Sequence, residues 1–267
     1  MSGTRWLTPT SGFLSGYSHT LNPYVGCTFG CSYCYVRRLP VGLFRGEPWG
    51  TWAEPKQADP GKLAREIAAA KRKGPVTVFF SSATDPYQPL EAKAGLTRAL
   101  LEAMTTERPD FVLLQTRSPL VMRDADVLAR LGDSVRVSMT VETDRDEMRR
   151  LFTPSAPPIA ARLRALRTLR EAGIATQAAV SPLLPHTPEF AELLVDVAAR
   201  IVVDNYFQGD GSGGKRSESL GMRRMYAEHG LSEWYDPAAS ERLVDRLRHI
   251  APGHKIGVSA QGFAPTP

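Results

Sequence analysis

The stretch Asn22–Arg38, NPYVGCTFGCSYCYVRR, holds every cysteine in the chain. Cys27, Cys31 and Cys34 are spaced C-x3-C-x2-C, and there is no fourth. Three thiols cannot all pair as disulfides, so the compact spacing reads as a metal site built by one loop. A structural zinc site wants four closed ligands, usually Cys and His. His19 lies before the loop and the other histidines (186, 229, 249 and 254) lie far downstream, none at the usual partner spacing. Zinc stays open as an alternative. An iron–sulfur cluster with four cysteine ligands is excluded by the count. What remains is a four-iron cluster held by three cysteines, with one iron open to a small-molecule ligand. By analogy with catalytic zinc, an open coordination position signals catalysis.

The rest of the chain reads as a scaffold for this loop. At 267 residues it is long for one ordinary domain, yet α/β barrels of this length are routinely single units. A hydrophobic share of 42% and a charged share of 23% make a sizeable core feasible. No apolar run approaches the roughly 20 residues needed to span a bilayer. The N-terminal MSGTRWLTPTSGF lacks the apolar block of a signal peptide. No membrane partner is therefore expected, and a cytoplasmic setting suits thiolate ligands. The net charge of +5 hints at an anionic partner without saying where the arginines sit.

Residues 1–18 are rich in Gly, Ser, Thr and Pro and read as an irregular lead-in. Residues 39–59 lack periodicity and read as a long functional loop. Between and beyond them, strand and helix alternate. Helices are expected over 60–73, 96–104, 124–131, from near Asp144, and over 159–172 and 189–200. A short continuous apolar run at 76–80 reads as a strand covered on both faces, 111–114 as another apolar strand, and 135–141, 174–180 and 201–204 as further strands. Two further helices, near 220–228 and 238–250, and an extended piece at 255–260 close the chain. This order means parallel βαβ units, in either a doubly wound open sheet or an incomplete barrel. In both, chemistry gathers at the C-terminal ends of the strands.

Those ends are rich in polar groups: Ser81 to Tyr87, Gln115 to Ser118, then Ser138, Thr140 and Glu142 on one face of a strand, then Gln177, Ser181, Asp204 and Asn205. Turn and cap duties account for some of them, Asp85 before Pro86 and Ser118 before Pro119 above all. Caps do not require Glu142 or Arg117.

The cysteine motif, with aromatic Tyr33 before its last cysteine, resembles the signature of the radical S-adenosylmethionine superfamily. NPYVGCTFGCSYCY, SSATDPYQPLE and LLQTRSPLVMRD resemble its DNA repair photolyase-like branch, the spore photoproduct lyase-like proteins, over about residues 20–142. The resemblance implies a partial (β/α)6 TIM-type barrel with a C-terminal helical extension, as one domain with a core of about 19–210 and an extension of about 211–267. It implies a [4Fe-4S] cluster on Cys27, Cys31 and Cys34 that reductively cleaves S-adenosylmethionine to a 5′-deoxyadenosyl radical, with a reductant such as flavodoxin or ferredoxin. Carried over by position, the backbone near Tyr33 meets adenine. Thr84 and Asp85 fall near the methionine amino group, Arg117 near its carboxylate, and Ser138 and Glu142 near ribose and methionine. Tyr35 matches a tyrosine that returns hydrogen during turnover. The lyase's cysteine hydrogen donor has no counterpart, since Ser82 stands in that stretch and an O–H bond is too strong to replace a thiol.

Arg37, Arg38 and Arg45 flank the loop near Tyr35, Phe44, Trp49 and Trp52, an interleaving that suits phosphate contact and base stacking by DNA or RNA. The arginines of the 159–172 helix (162, 164, 167 and 170) read as a solvated outer face. The glycine-rich 209–215 loop lacks the Walker spacing and reads as a flexible lid. Two alternatives stand beside the nucleic-acid enzyme: a radical enzyme acting on a peptide or small molecule, and a metal-stabilised nucleic-acid-binding module without turnover.

Overall fold

The structure, a computed structural model, describes residues 5–265. Its strands are β1 Thr8–Pro9, β2 His19–Leu21, β3 Tyr24–Gly26, β4 Ala53–Pro55, β5 Thr77–Phe80, β6 Phe111–Thr116, β7 Val135–Thr140, β8 Thr176–Val180, β9 Arg200–Val203 and β10 Lys255–Val258. Apolar runs with no alternation must be covered on both faces, and the chain does this by curling one sheet. Eight strands pair in the order β1-β2-β5-β6-β7-β8-β9-β10. From β2 onward all neighbours are parallel, and β1 adds an antiparallel edge. The two outer strands do not pair with each other, so the barrel is partial.

The concave face carries Tyr17, Phe79, Phe111, Leu113, Ala179, Val202 and Phe263 in one apolar cluster. The Tyr17 hydroxyl donates to the Phe263 carbonyl at 2.5 Å, which ties the two ends of the sheet together. The alternate residues, among them Val78, Phe80, Leu114, Val137 and Met139, point outward to the helices. Ile159, Leu163, Leu166 and Leu169 form the inward stripe of helix Ile159–Glu171, as their spacing predicts. Each such side chain contributes roughly 1.5–3 kcal/mol by leaving water.

Three expectations change in detail. The 1–18 lead-in is partly ordered, since residues 5–18 hold β1 and a short turn of helix at Gly12–Leu14, while residues 1–4 lie outside the described residues. The 39–59 stretch contains helix Pro40–Leu43, and its β4 pairs antiparallel with β3. Helix Phe190–Val197 stops before residue 200, because Arg200 is taken into β9 opposite Lys255. The C-terminal extension is helical through Ile250 and then returns to the sheet as β10. Among the described residues no helix is long and apolar enough to cross a membrane.

Candidate active site

The cysteine loop follows β3 and is held on both sides. Gly26 has φ +82°, and a Cβ there would meet the Trp52 ring at 2.3 Å, so only glycine fits. The Thr28 N–H donates to Gln88 Oε1 at 3.0 Å, and the Ser32 N–H donates to the Phe152 carbonyl at 2.9 Å. So anchored, the loop turns all three cysteines, none in a disulfide, toward a cavity of about 610 Å³ at the C-terminal ends of the strands. No histidine lines that cavity among the described residues, and His19 instead faces Ser18 on the far side of β2. The zinc alternative therefore finds no histidine to complete it. Burial pushes all three thiols up, Cys34 to about 12. Such thiols become ligands only beside a strongly cationic group, which is what an iron cluster provides.

Behind the cysteines sits a buried ionic knot. Arg117 Nη1 donates to Glu142 Oε1 at 2.7 Å and to the Tyr33 hydroxyl at 3.0 Å. The Tyr33 hydroxyl itself donates to Glu142 Oε1 at 2.5 Å. Arg162 Nη1 donates to the other carboxylate oxygen at 2.7 Å. Burial alone pushes the Glu142 carboxyl up, but Arg117, Arg162 and the Tyr33 hydroxyl outweigh it and hold it below the usual range. Glu142 is thus anionic, and it fixes the Arg117 and Tyr33 side chains that line the cavity.

The second group of expected residues lines the same cavity. The Thr84 hydroxyl donates to the Gly26 carbonyl at 2.6 Å, binding the β5 end to the cysteine loop. Asp85 accepts from the Tyr87 N–H (2.9 Å), the Thr116 hydroxyl (2.7 Å) and the Arg117 N–H (2.9 Å). Burial pushes its carboxyl up, and those three hydrogen bonds work against that. Asp85 therefore ties its own turn, through Tyr87, to the end of β6, through Thr116 and Arg117. Tyr35 donates its hydroxyl to the Ser82 carbonyl, which closes the wall between cysteine loop and β5. Ser138 lies deeper, fully buried, accepting from Gln177 Nε2 at 2.9 Å. Ser138 and Glu142 support the lining from behind and are not part of it.

Residues 21–197 match the family described as the Radical SAM superfamily. The chain belongs to the radical SAM superfamily. It is a radical SAM enzyme, and its family implies a [4Fe-4S] cluster and S-adenosylmethionine; Cys27, Cys31 and Cys34 all line the one cavity that would receive them. An uncharacterized protein of Methanocaldococcus jannaschii is 31% identical over 64% of this chain, a match that spans 62% of that relative. A "Radical SAM Nalpha-GlyT isomerase" of Pseudomonas phage M6 is 31% identical over 61% of the chain and 32% of its own length. The solved spore photoproduct lyase complexed with dinucleoside spore photoproduct shares the fold at 16% identity and TM-score 0.64, covering 96% of this chain and 80% of that one.

Within this radical SAM barrel, two expectations fail. Arg162 is not on a solvated face. It is fully buried and reaches through the barrel wall to Glu142, while Arg164, Arg167 and Arg170 remain exposed. The signal was in the sequence, since 162 lies three after Ile159 and four before Leu166, on the inward stripe. The 209–215 loop is not loose either. Asp210 accepts from the Ser212, Gly214, Arg216 and Ser217 N–H groups, and these bonds, against the pull of burial, keep it below the usual carboxylate range. Of the flanking arginines, Arg45 is spent on Glu47, Glu54 and the Trp52 ring. Among the described residues, Arg37 and Arg38 donate only to the carbonyls of Ser32 and Ser219, with no carboxylate partner there.

Proposed function

We propose that the chain is a radical S-adenosylmethionine enzyme acting on a nucleic-acid or nucleotide substrate in a cytoplasmic setting. Its residues form one domain, with a core of about 19–210 and an extension of about 211–267. The observation that carries this reading is the cavity that brings Cys27, Cys31, Cys34 and Arg117 together at the strand ends. Cys27, Cys31 and Cys34 hold the [4Fe-4S] cluster. Bound there, the cluster would supply one-electron reduction of S-adenosylmethionine, with the electron from a reductant such as flavodoxin or ferredoxin, and so the 5′-deoxyadenosyl radical chemistry that would abstract hydrogen from a substrate.

The chain's own residues orient these partners. The Arg117 guanidinium, held by Glu142 and Tyr33, offers its remaining N–H groups to the carboxylate of S-adenosylmethionine. Thr84 and Asp85 shape the pocket for the amino group, the Tyr33 backbone faces adenine, and Ser138 and Glu142 keep the ribose side in place. Tyr35, with its hydroxyl buried against Ser82, returns a hydrogen atom to the substrate. No thiol is left over for that step, so the final transfer differs from the lyase's own. Support for a nucleic-acid substrate comes from Arg37 and Arg38, without a carboxylate partner among the described residues, beside an aromatic rim. The test is isotopic. With deuterated DNA or RNA oligonucleotides, deuterium should appear in 5′-deoxyadenosine. Deuterium arriving only from deuterated peptides would replace the nucleic-acid reading with the peptide one.

A further inference from the structure

Residues 84–91, TDPYQPLE, do more than shape the cavity wall, because three of their side chains grip the start of the cysteine loop. Gln88 is wholly buried and stands at the centre of that grip. Its Oε1 accepts from the Thr28 N–H at 3.0 Å, and its Nε2 donates to the Gly26 carbonyl at 3.3 Å. Gly26 and Thr28 are the two chain neighbours of Cys27. One side-chain amide therefore holds the peptide groups on both sides of the first cysteine. Nε2 also donates to Thr84 Oγ1 at 3.0 Å, and Thr84 donates in turn to the same Gly26 carbonyl. Pairing of β3 with β4 ends at Gly26, opposite Ala53, so Gln88 takes over where the strand partner stops.

The grip is itself anchored. The Gln88 carbonyl accepts from the Glu91 N–H at 2.8 Å. Glu91, also wholly buried, accepts from the Tyr24 hydroxyl at the start of β3, from the Thr97 N–H at 2.9 Å and from Arg123 Nη2 at 2.6 Å. Cys31 and Cys34 share one turn, in which the Cys34 N–H donates to the Cys31 carbonyl at 3.1 Å. Cys27 lies ahead of that turn, so its distance from the other two thiols depends on what holds Gly26 and Thr28. The position demands an amide. The Thr28 N–H can only donate and the Gly26 carbonyl can only accept. Glutamine answers both, whereas an ionised glutamate offers acceptors alone and leucine offers neither.

From this geometry we infer that Gln88 is a positioning residue for the cluster: it sets where Cys27 meets iron, so that three thiolates can bind at once. The inference rests on the three-cysteine cluster reading above. Side chains that orient a metal ligand from behind typically change metal affinity about 10–100-fold when they are replaced.

The test uses the full chain, reconstituted anaerobically with iron and sulfide, as wild type, Gln88→Leu, Gln88→Glu and Val127→Ala. Val127 is buried in the outer core on helix Ala125–Leu131, and its truncation supplies a loss of stability unrelated to the loop. Against an iron chelator, the cluster lifetime in both Gln88 variants should shorten about tenfold or more, while Val127→Ala keeps the wild-type lifetime. The reduced cluster of Gln88→Glu should also give an electron paramagnetic resonance signal distinct from that of wild type. In the full chain before reconstitution, hydrogen exchange at the Thr28 amide should quicken in both Gln88 variants. A wild-type lifetime and spectrum in Gln88→Glu, or an equal loss of lifetime in Val127→Ala, would overturn the inference while the cluster reading stands. Should Gln88→Leu fail to fold, Gln88→Glu decides by the same outcomes. If wild type takes up no iron–sulfur cluster, the cluster reading falls and the inference falls with it.

Discussion

Replacing Arg162 with Met tests whether the ionic knot holds the site together. Arg162 Nη1 lies 2.7 Å from Glu142 Oε2, with both side chains almost wholly out of water; Nη1 also donates to the Thr140 carbonyl at 3.2 Å and Nε to the Pro157 carbonyl at 3.0 Å. Removing one member of a buried pair costs about 3–5 kcal/mol, because the other charge is left stranded. Here Arg117 remains on the opposite oxygen, so the lower end applies, about 3 kcal/mol. For a chain of this size that lowers Tm by roughly 6–12 °C. Urea unfolding of Arg162→Met, Glu142→Gln and the double variant should show a coupling of at least about 1 kcal/mol. The exposed neighbour Arg164→Met should stay within about 0.5 kcal/mol of wild type. The pH dependence has a definite sign. The folded-state carboxyl of Glu142 is held below its ordinary 4.5, so its contribution is present above that pH and is lost as pH falls through the lower folded value. The deficit of Arg162→Met should therefore be largest at neutral pH and shrink below about pH 4.5. A cost under 1 kcal/mol, equal at pH 4 and pH 7 and with no coupling, would refute the pairing.

Gly26→Ala forces a side chain into the Trp52 ring and into an unfavourable φ, so iron uptake on reconstitution should fall sharply while the sheet survives by circular dichroism. Unchanged iron content would show that the loop does not depend on that close approach. Tyr35→Phe should still form 5′-deoxyadenosine but divert substrate radicals to side products, seen by mass spectrometry. A normal product spectrum would remove Tyr35 from the hydrogen step. Arg37→Ala with Arg38→Ala should weaken DNA or RNA binding and reduce the slope of log K against log salt by up to about 2. An unchanged slope would place phosphate contact elsewhere.

The alternation of strand and helix was legible because β5, β6 and β9 carry short apolar runs buried on both faces, while β7 and β8 mix apolar with buried polar residues, between amphipathic helices. The cysteine loop was legible because spacing alone constrains its chemistry. Two things were hidden. Arg162 sat on the inward stripe, but its charge argued for solvent, and only Glu142, twenty residues upstream and on another element, explains its burial. Asp204 was visible as one polar strand end among several. That it pairs with no cation among the described residues, and that Gly209 leaves space for its carboxylate, are properties of packing, which no local pattern records. Asp85 was half legible, since the turn reading describes its bond from the Tyr87 N–H but not those from Thr116 and Arg117, which belong to the neighbouring strand end.

Three thiols, with no histidine in the cavity among the described residues, should hold a reactive iron cluster. Anaerobic reconstitution with iron and sulfide, followed by dithionite and S-adenosylmethionine, tests it directly. The account predicts a brown protein that forms 5′-deoxyadenosine, with both properties lost in Cys31→Ala. Stoichiometric zinc and no 5′-deoxyadenosine would contradict it.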